Sequence, residues 1–111
     1  MRRTGWHIIE EAGTLTLARR VPVRFDLGVC RVLPVVNRLR LAHQVRQDMW
    51  RVLKRVKGFA PAVQIETRDG QLVVTAGGQV DGPVARAWAE ARIADVLDDP
   101  VNRARWIRWA G

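Results

Sequence analysis

Few residues of this 111-residue chain could carry covalent chemistry. His7, His43 and Cys30 are its entire complement of imidazole and thiol groups. His43 precedes Asp48 by five residues, and His7 stands just before Glu10 and Glu11, so each can be drawn as an acid–base pair. Catalysis asks for more than a pair: a nucleophile within reach and donors aimed at developing negative charge, and neither accompanies these residues. Cys30, among apolar neighbours, reads as a small buried hydrophobe rather than a reactive thiol. One cysteine forms no internal disulfide, and no Cys-x-x-Cys pair or His/Cys cluster offers zinc a ligand set. The expectation is a non-enzymatic protein with no cofactor and no metal.

A glycine-rich stretch, "TAGGQVDG", joins a strand pattern to a helix pattern, as phosphate-cradling loops do. The spacing of Gly77, Gly78 and Gly82 matches neither a Walker loop nor a dinucleotide fingerprint, and Asp81 would repel phosphate. A flexible turn is the expected structure.

Charge is the stronger signal. Nineteen Lys and Arg against eleven Asp and Glu leave a net charge of +8, unevenly spread. Residues 1–57 hold thirteen basic and four acidic side chains (+9), residues 58–100 three and seven (−4), and residues 101–111 three and none (+3). A lopsided positive field attracts polyanions through phosphate contacts that weaken with salt. Seventeen of the nineteen cations are arginine, a bias that a GC-rich genome would also produce.

The cations concentrate on one element. Asn37 suits an N-cap, residues 38–57 follow with helical periodicity, and Gly58 suits a stop. At 100° per residue, Leu41, Ala42, Val45, Met49, Val52, Leu53 and Val56 fall within an arc of about 120° that must face a core. Arg40, Arg51, Lys54 and Arg55 lie opposite, with Arg46 and Lys57 at one border; Asp48, three residues before Arg51, is the only offset. Seven cations against one anion is unusual for a solvated helix face, which ordinarily mixes signs. The candidate anion- or nucleic-acid-binding set is therefore Arg40, Arg46, Arg51, Lys54, Arg55 and Lys57, reaching phosphates rather than base edges, since no helix-turn-helix pattern is present. Trp50 falls off the apolar arc, where partial burial is expected.

The chain ends "NRARWIRWAG". Trp106 and Trp109 are i and i+3 neighbours flanked by Arg105 and Arg108. They can form a stacking tail for single-stranded nucleic acid, or a clasp that buries indole on the body while the guanidinium heads stay wet. The clasp is the favoured reading, because an ordered terminus needs a docking device. About three helical turns without a broad apolar face argue against a membrane anchor.

Elements that position these residues can be read from periodicity. "WHIIE" and "TLTLAR", separated by Glu11-Ala12-Gly13, predict a hairpin with a short loop, and Val21, Val23 and Phe25 predict a third strand, irregular or at an edge because Pro22 lacks an amide donor. The apolar run from Leu27 to Val36 is expected to pass beneath the long helix. Asp69-Gly70 predicts a type I′ hairpin that pairs Arg68 with Gln71, Thr67 with Leu72, Ile65 with Val74 and Val63 with Ala76. Gln64, Glu66 and Thr75 then take a second face that is wet or partner-bound. A helix over residues 83–98 should have Pro83 at N1 and Asp81 at its positive end, with Trp88 and Val84 on one side and Ile93 and Leu97 on the other. Such a helix is buried twice or shared with another chain. Asp99 caps a short last helix that begins at Pro100.

The order β-β-(β)-α-β-β-α with a short carboxy-terminal helix predicts an α+β fold, a single domain over residues 1–111, with helices on one face of an antiparallel sheet. No signal-peptide-like run or membrane span is seen, so a soluble, cytoplasmic protein without membrane partners is expected. The leading functional expectation is a small binding protein whose basic helix meets an anionic partner, most simply nucleic acid. The rival is an assembly subunit binding protein or itself through the Ala/Trp helix or the open sheet face, with Trp88, Trp106 and Trp109 as interface candidates.

Overall fold

Alternating apolar residues and two turns requiring positive φ build most of the sheet. In this computed structural model, which describes residues 5–111, β1 (His7–Glu11) and β2 (Thr14–Ala18) form the first hairpin. Arg2 and Arg3, counted in the basic amino-terminal segment, lie outside the described residues. Strands β4 (Phe59–Arg68) and β5 (Gln71–Val80) form the second hairpin in the expected register, including Ile65 opposite Val74 and Val63 opposite Ala76. Asp69 and Gly70 both take positive φ (50° and 73°), as a type I′ turn demands.

The third strand is not where alternation suggested. It is β3 (Leu27–Leu33), which pairs with β5 at the far edge of an antiparallel sheet ordered β1-β2-β4-β5-β3. Val21, Val23 and Phe25 belong instead to the crossover from β2. To reach that edge the chain must pass β4 and β5, and it does so at the Val80 end, where Asp26 accepts from the Val80 amide (2.9 Å) and Arg20 pairs with Asp81. Phe25 comes to rest against Gly28 and thereby covers part of the outer sheet face. Strand and crossover patterns are alike in one dimension; only the sheet order separates them.

Gly77 and Gly78 lie within β5, not in a turn. A β-carbon on Gly77 would collide with the Leu27 carbonyl of β3, and one on Gly78 with the Ala60 carbonyl of β4. The glycines let backbones on both sides approach closely where the sheet narrows.

Three helices cover one face. Helix α1 (Arg38–Leu53) begins as expected, with the Asn37 side chain accepting from the Arg40 amide (3.0 Å), but ends at Leu53. Residues 54–58 form turns closed by Gly58 (φ 73°), which lies against the Asp81 backbone. Helix α2 (Arg86–Asp98) starts three residues after Pro83, so Pro83 is not its first residue and Asp81 does not cap it. It buries Ala89, Ile93, Val96 and Leu97 on one side only, leaving Trp88 51% exposed; Val84, ahead of the helix, packs on the core independently. Helix α3 (Pro100–Ala110) has Asp99 as its cap, accepting from the Val101 and Asn102 amides.

The buried cluster joins Leu15, Leu17, Ile65, Leu72 and Val74 of the sheet to Leu41, Val45, Met49 and Leu53 of α1, to Ile93 and Leu97 of α2, and to Trp106 of α3. On the other face Gln64 donates to Thr16 (3.3 Å), and small residues Ala18 and Ala62 are buried. The edge strand β3 is shielded by side chains. Glu90 accepts from the Gly28 amide (3.0 Å), and Arg31 donates to the Cys30 carbonyl (2.9 Å) while pairing with Asp98 (2.8 Å). Such blunting protects an open edge from pairing with another strand. Cys30 itself is exposed, contrary to the buried reading, because it alternates with Gly28 and Val32 onto the face of β3 opposite to buried Leu27 and Leu33.

Candidate nucleic-acid interface

Helix α3 runs antiparallel along α1, and one buried carboxylate fixes their register. Asp48 is only 6% exposed; it accepts from the Trp106 indole Nε1 (2.7 Å) and from Arg105 (2.9 Å), with Arg51 at 3.4 Å. The Asn37 amide donates to the Ala110 carbonyl (2.8 Å), which ties the start of α1 to the end of α3. Trp106 is 0% exposed, so it is a core residue and leaves the set of interface candidates. Its helical neighbour Trp109 is 66% exposed. The two indoles do not project together: i and i+3 positions diverge enough for a helix lying on a body to bury one and expose the other. The terminus is a clasp through Trp106 and an exposed aromatic surface through Trp109.

Most arginines in the described chain have a carboxylate partner. Arg20 pairs with Asp81, Arg24 with Asp26, Arg38 with Glu10, Arg68 with Glu66 and Arg103 with Asp98. The partnered carboxyls feel it: the hydrogen bond from Arg24 holds Asp26 below the usual range, and that from Arg31 does the same for Asp98. Arg40, Lys54, Arg55 and Lys57 differ. Each is exposed and, among the described residues, has no carboxylate within ion-pair distance. Arg51 shares Asp48 with Arg105 at the long end of the range, its own side chain 63% exposed. Arg108 in the last turn of α3 is likewise exposed without such a partner among these residues.

Arg46 is a correction to the sequence-derived set. It turns toward Trp6, its guanidinium carbon 4.8 Å from the ring centroid, and burial lowers its pKa. Its Nε is buried without a hydrogen-bond partner among the described residues. A place at the border of the apolar arc lets the long side chain fold inward over an aromatic ring. Trp50, half-buried as expected, stacks on Phe59 beside it (6.3 Å between centroids).

The remaining cations lie at the two ends of α1, each end beside a groove. At the amino-terminal end of α1, Arg40, His43, Gln44 and Trp109 line one of about 480 Å³. At the other end, Arg55, Lys57, Val84 and Trp88 line a second of about 600 Å³. Asp81 also borders that groove, but it is engaged by Gln79 and Arg20, both of which lower its pKa. His43 is not paired with Asp48, which faces α3; burial and the nearby Arg46 charge lower its pKa. Sequence reasoning missed His43 and Gln44 as groove residues. Their proximity to Trp109 depends on α3 folding back, for which no local signal exists.

Among the described residues no group of three His, Cys, Asp or Glu could hold a metal ion, and no helix is long and apolar enough to cross a membrane. Comparison with protein-family models, curated proteins and solved structures found no significant match.

Proposed function

We propose that this protein binds a polyanion, most simply nucleic acid, along the exposed face of α1. The observation that carries this reading is a set of exposed cations, Arg40 in the first turn of α1 and Lys54, Arg55 and Lys57 in the turns that follow it, which have no carboxylate partner among the described residues, where most other arginines are paired. Uncompensated like charges repel one another; the negative charge of a bound phosphate backbone relieves that repulsion, and the counterions it releases add to the affinity. With Arg51 included, about five phosphate contacts would make log K fall with log salt at a slope of roughly −4.5 on duplex DNA.

The test is retention of DNA or RNA at low salt by the intact chain and by Arg51→Glu/Arg55→Glu. The double variant should bind more weakly and with a shallower salt slope, while its thermal melt stays close to that of the parent. Indifference of the parent to every polyanion at low salt would remove the proposal.

A second reading, self-association through α2, is favoured by its exposed Ala87, Trp88 and Ala91 on the side away from the core. It predicts a mass that rises with concentration, responds to Trp88→Ala and ignores salt.

A further inference from the structure

We infer that the partner is single-stranded, held with one base on Trp109 and another on Trp88 and its phosphates running between them along α1. This rests on the polyanion reading above and specifies its ligand. The two most exposed tryptophans each share a groove with an arginine: Trp109 with Arg40 in the first turn of α1, and Trp88 with Arg55 and Lys57 in the turns after α1, where Asp81 also lines the groove but is engaged by Arg20 and Gln79. They come from different helices, so the pairing of indole with cation at both ends arises only in the folded chain. A surface for duplex alone gains nothing from indoles, because the faces of paired bases are already stacked on one another. In a single strand those faces are free, and aromatic side chains interleaved with cations are the arrangement that captures them without sequence preference. The positive charge of Arg40, Arg55 and Lys57 beside the indoles complements a phosphate backbone.

Geometry sets a length requirement. The sixteen residues of α1 span about 24 Å at 1.5 Å per residue. At the stacked spacing of 3.4 Å per strand this is about seven nucleotides, fewer if the strand is extended. A trimer therefore reaches one tryptophan and a dodecamer reaches both.

The experiment compares a fluorescent thymidine dodecamer, a thymidine trimer and a twelve-base-pair duplex, using the full chain, Trp109→Ala, Trp88→Ala, the double variant and Trp109→Phe. Both indoles are exposed, and melting curves check that each variant folds. The dodecamer should bind more tightly than the duplex and far more tightly than the trimer. Each alanine variant should lose about 5- to 150-fold on the dodecamer with little change on the duplex, and phenylalanine should restore most of the loss. Equal binding of duplex and dodecamer, unmoved by either tryptophan variant, would overturn this inference while leaving the polyanion reading in place. Absence of binding to all three nucleic acids, with heparin also ignored, would overturn both.

Discussion

At the scale of single residues, Asp48 does the most. As the lone anion of α1 it resembles a surface offset to Arg51, yet it is the acceptor that lets the indole of Trp106 be buried. A buried N–H without a partner is costly, and a hydrogen bond to a charged acceptor contributes about 1.5–3 kcal/mol. Asp48→Ala should therefore destabilise the fold by about 2–4 kcal/mol in denaturant titration, since it also frees Arg105. Asp48→Asn, which keeps an acceptor, should cost less; equal losses would mean that packing rather than the acceptor matters. His43 makes a pH prediction. Its pKa is lowered in the fold, mainly by burial, so the unfolded chain takes up the proton first. Stability has its full value above the unfolded pKa of about 6.5 and declines as pH falls toward the lower folded value. A melt series from pH 7.5 to 5 should show this decline, and His43→Gln should flatten it. Asp26, Asp81 and Asp98 add a separate loss at lower pH, beginning near the ordinary carboxylate pKa of about 3.9, as the carboxylates take up protons and no longer offset the charge of their arginine partners.

At the scale of elements, the sheet depends on two glycines and the helical layer on its last helix. Gly77→Ala would drive a methyl group into the Leu27 carbonyl of β3, and neither backbone has room to retreat without losing the β3–β5 ladder. The expected cost is about 1–3 kcal/mol or more, as for overpacking of a tight site, with faster hydrogen exchange in β3 than in β1 and β2. Deleting residues 105–111 removes Trp106, whose burial alone is worth about 3–5 kcal/mol by the usual cost of a large-to-alanine change. A marked fall in melting temperature is expected. The cations near the carboxy-terminal end of α1 have a local role as well, since Arg51 and Lys54 sit where the helix dipole is negative. That interaction is worth about 0.3–1 kcal/mol at an exposed site and is confined to the last turn, so it leaves Arg40 and Lys57 unexplained.

At the scale of the whole molecule, charge is sorted by pairing rather than by chain position. The acidic middle segment does not form an opposing pole; Asp81 and Asp98 reach back to Arg20 and Arg31 of the basic half. Among the described residues, exposed cations without a carboxylate partner stand in the first turn of α1, in the turns after it and in the last turn of α3. A polyanion that binds only the folded state must stabilise it, by about 2.7 kcal/mol at a hundred times its dissociation constant. Heparin should raise the melting temperature at low salt, and the rise should vanish as salt is added and shrink in Arg51→Glu/Arg55→Glu.

Local signals were enough to read the two hairpins, the Asn37 and Asp99 caps, the apolar face of α1 and the α+β order, because each depends on neighbours a few residues away. Helical periodicity also grouped Arg40, Arg51, Lys54 and Arg55, but α1 ends at Leu53, so Lys54 and Arg55 are placed by the turns that follow rather than by the helix. Other features lay beyond any local pattern. Val21, Val23 and Phe25 alternate like a strand, and only the position of β3 across β4 and β5 makes them a crossover. Trp106 and Trp109 are equivalent in sequence, and the partner 58 residues from Trp106, Asp48, decides which one is buried. Periodicity assigns a residue to a face, whereas burial and pairing depend on what long-range packing brings against that face.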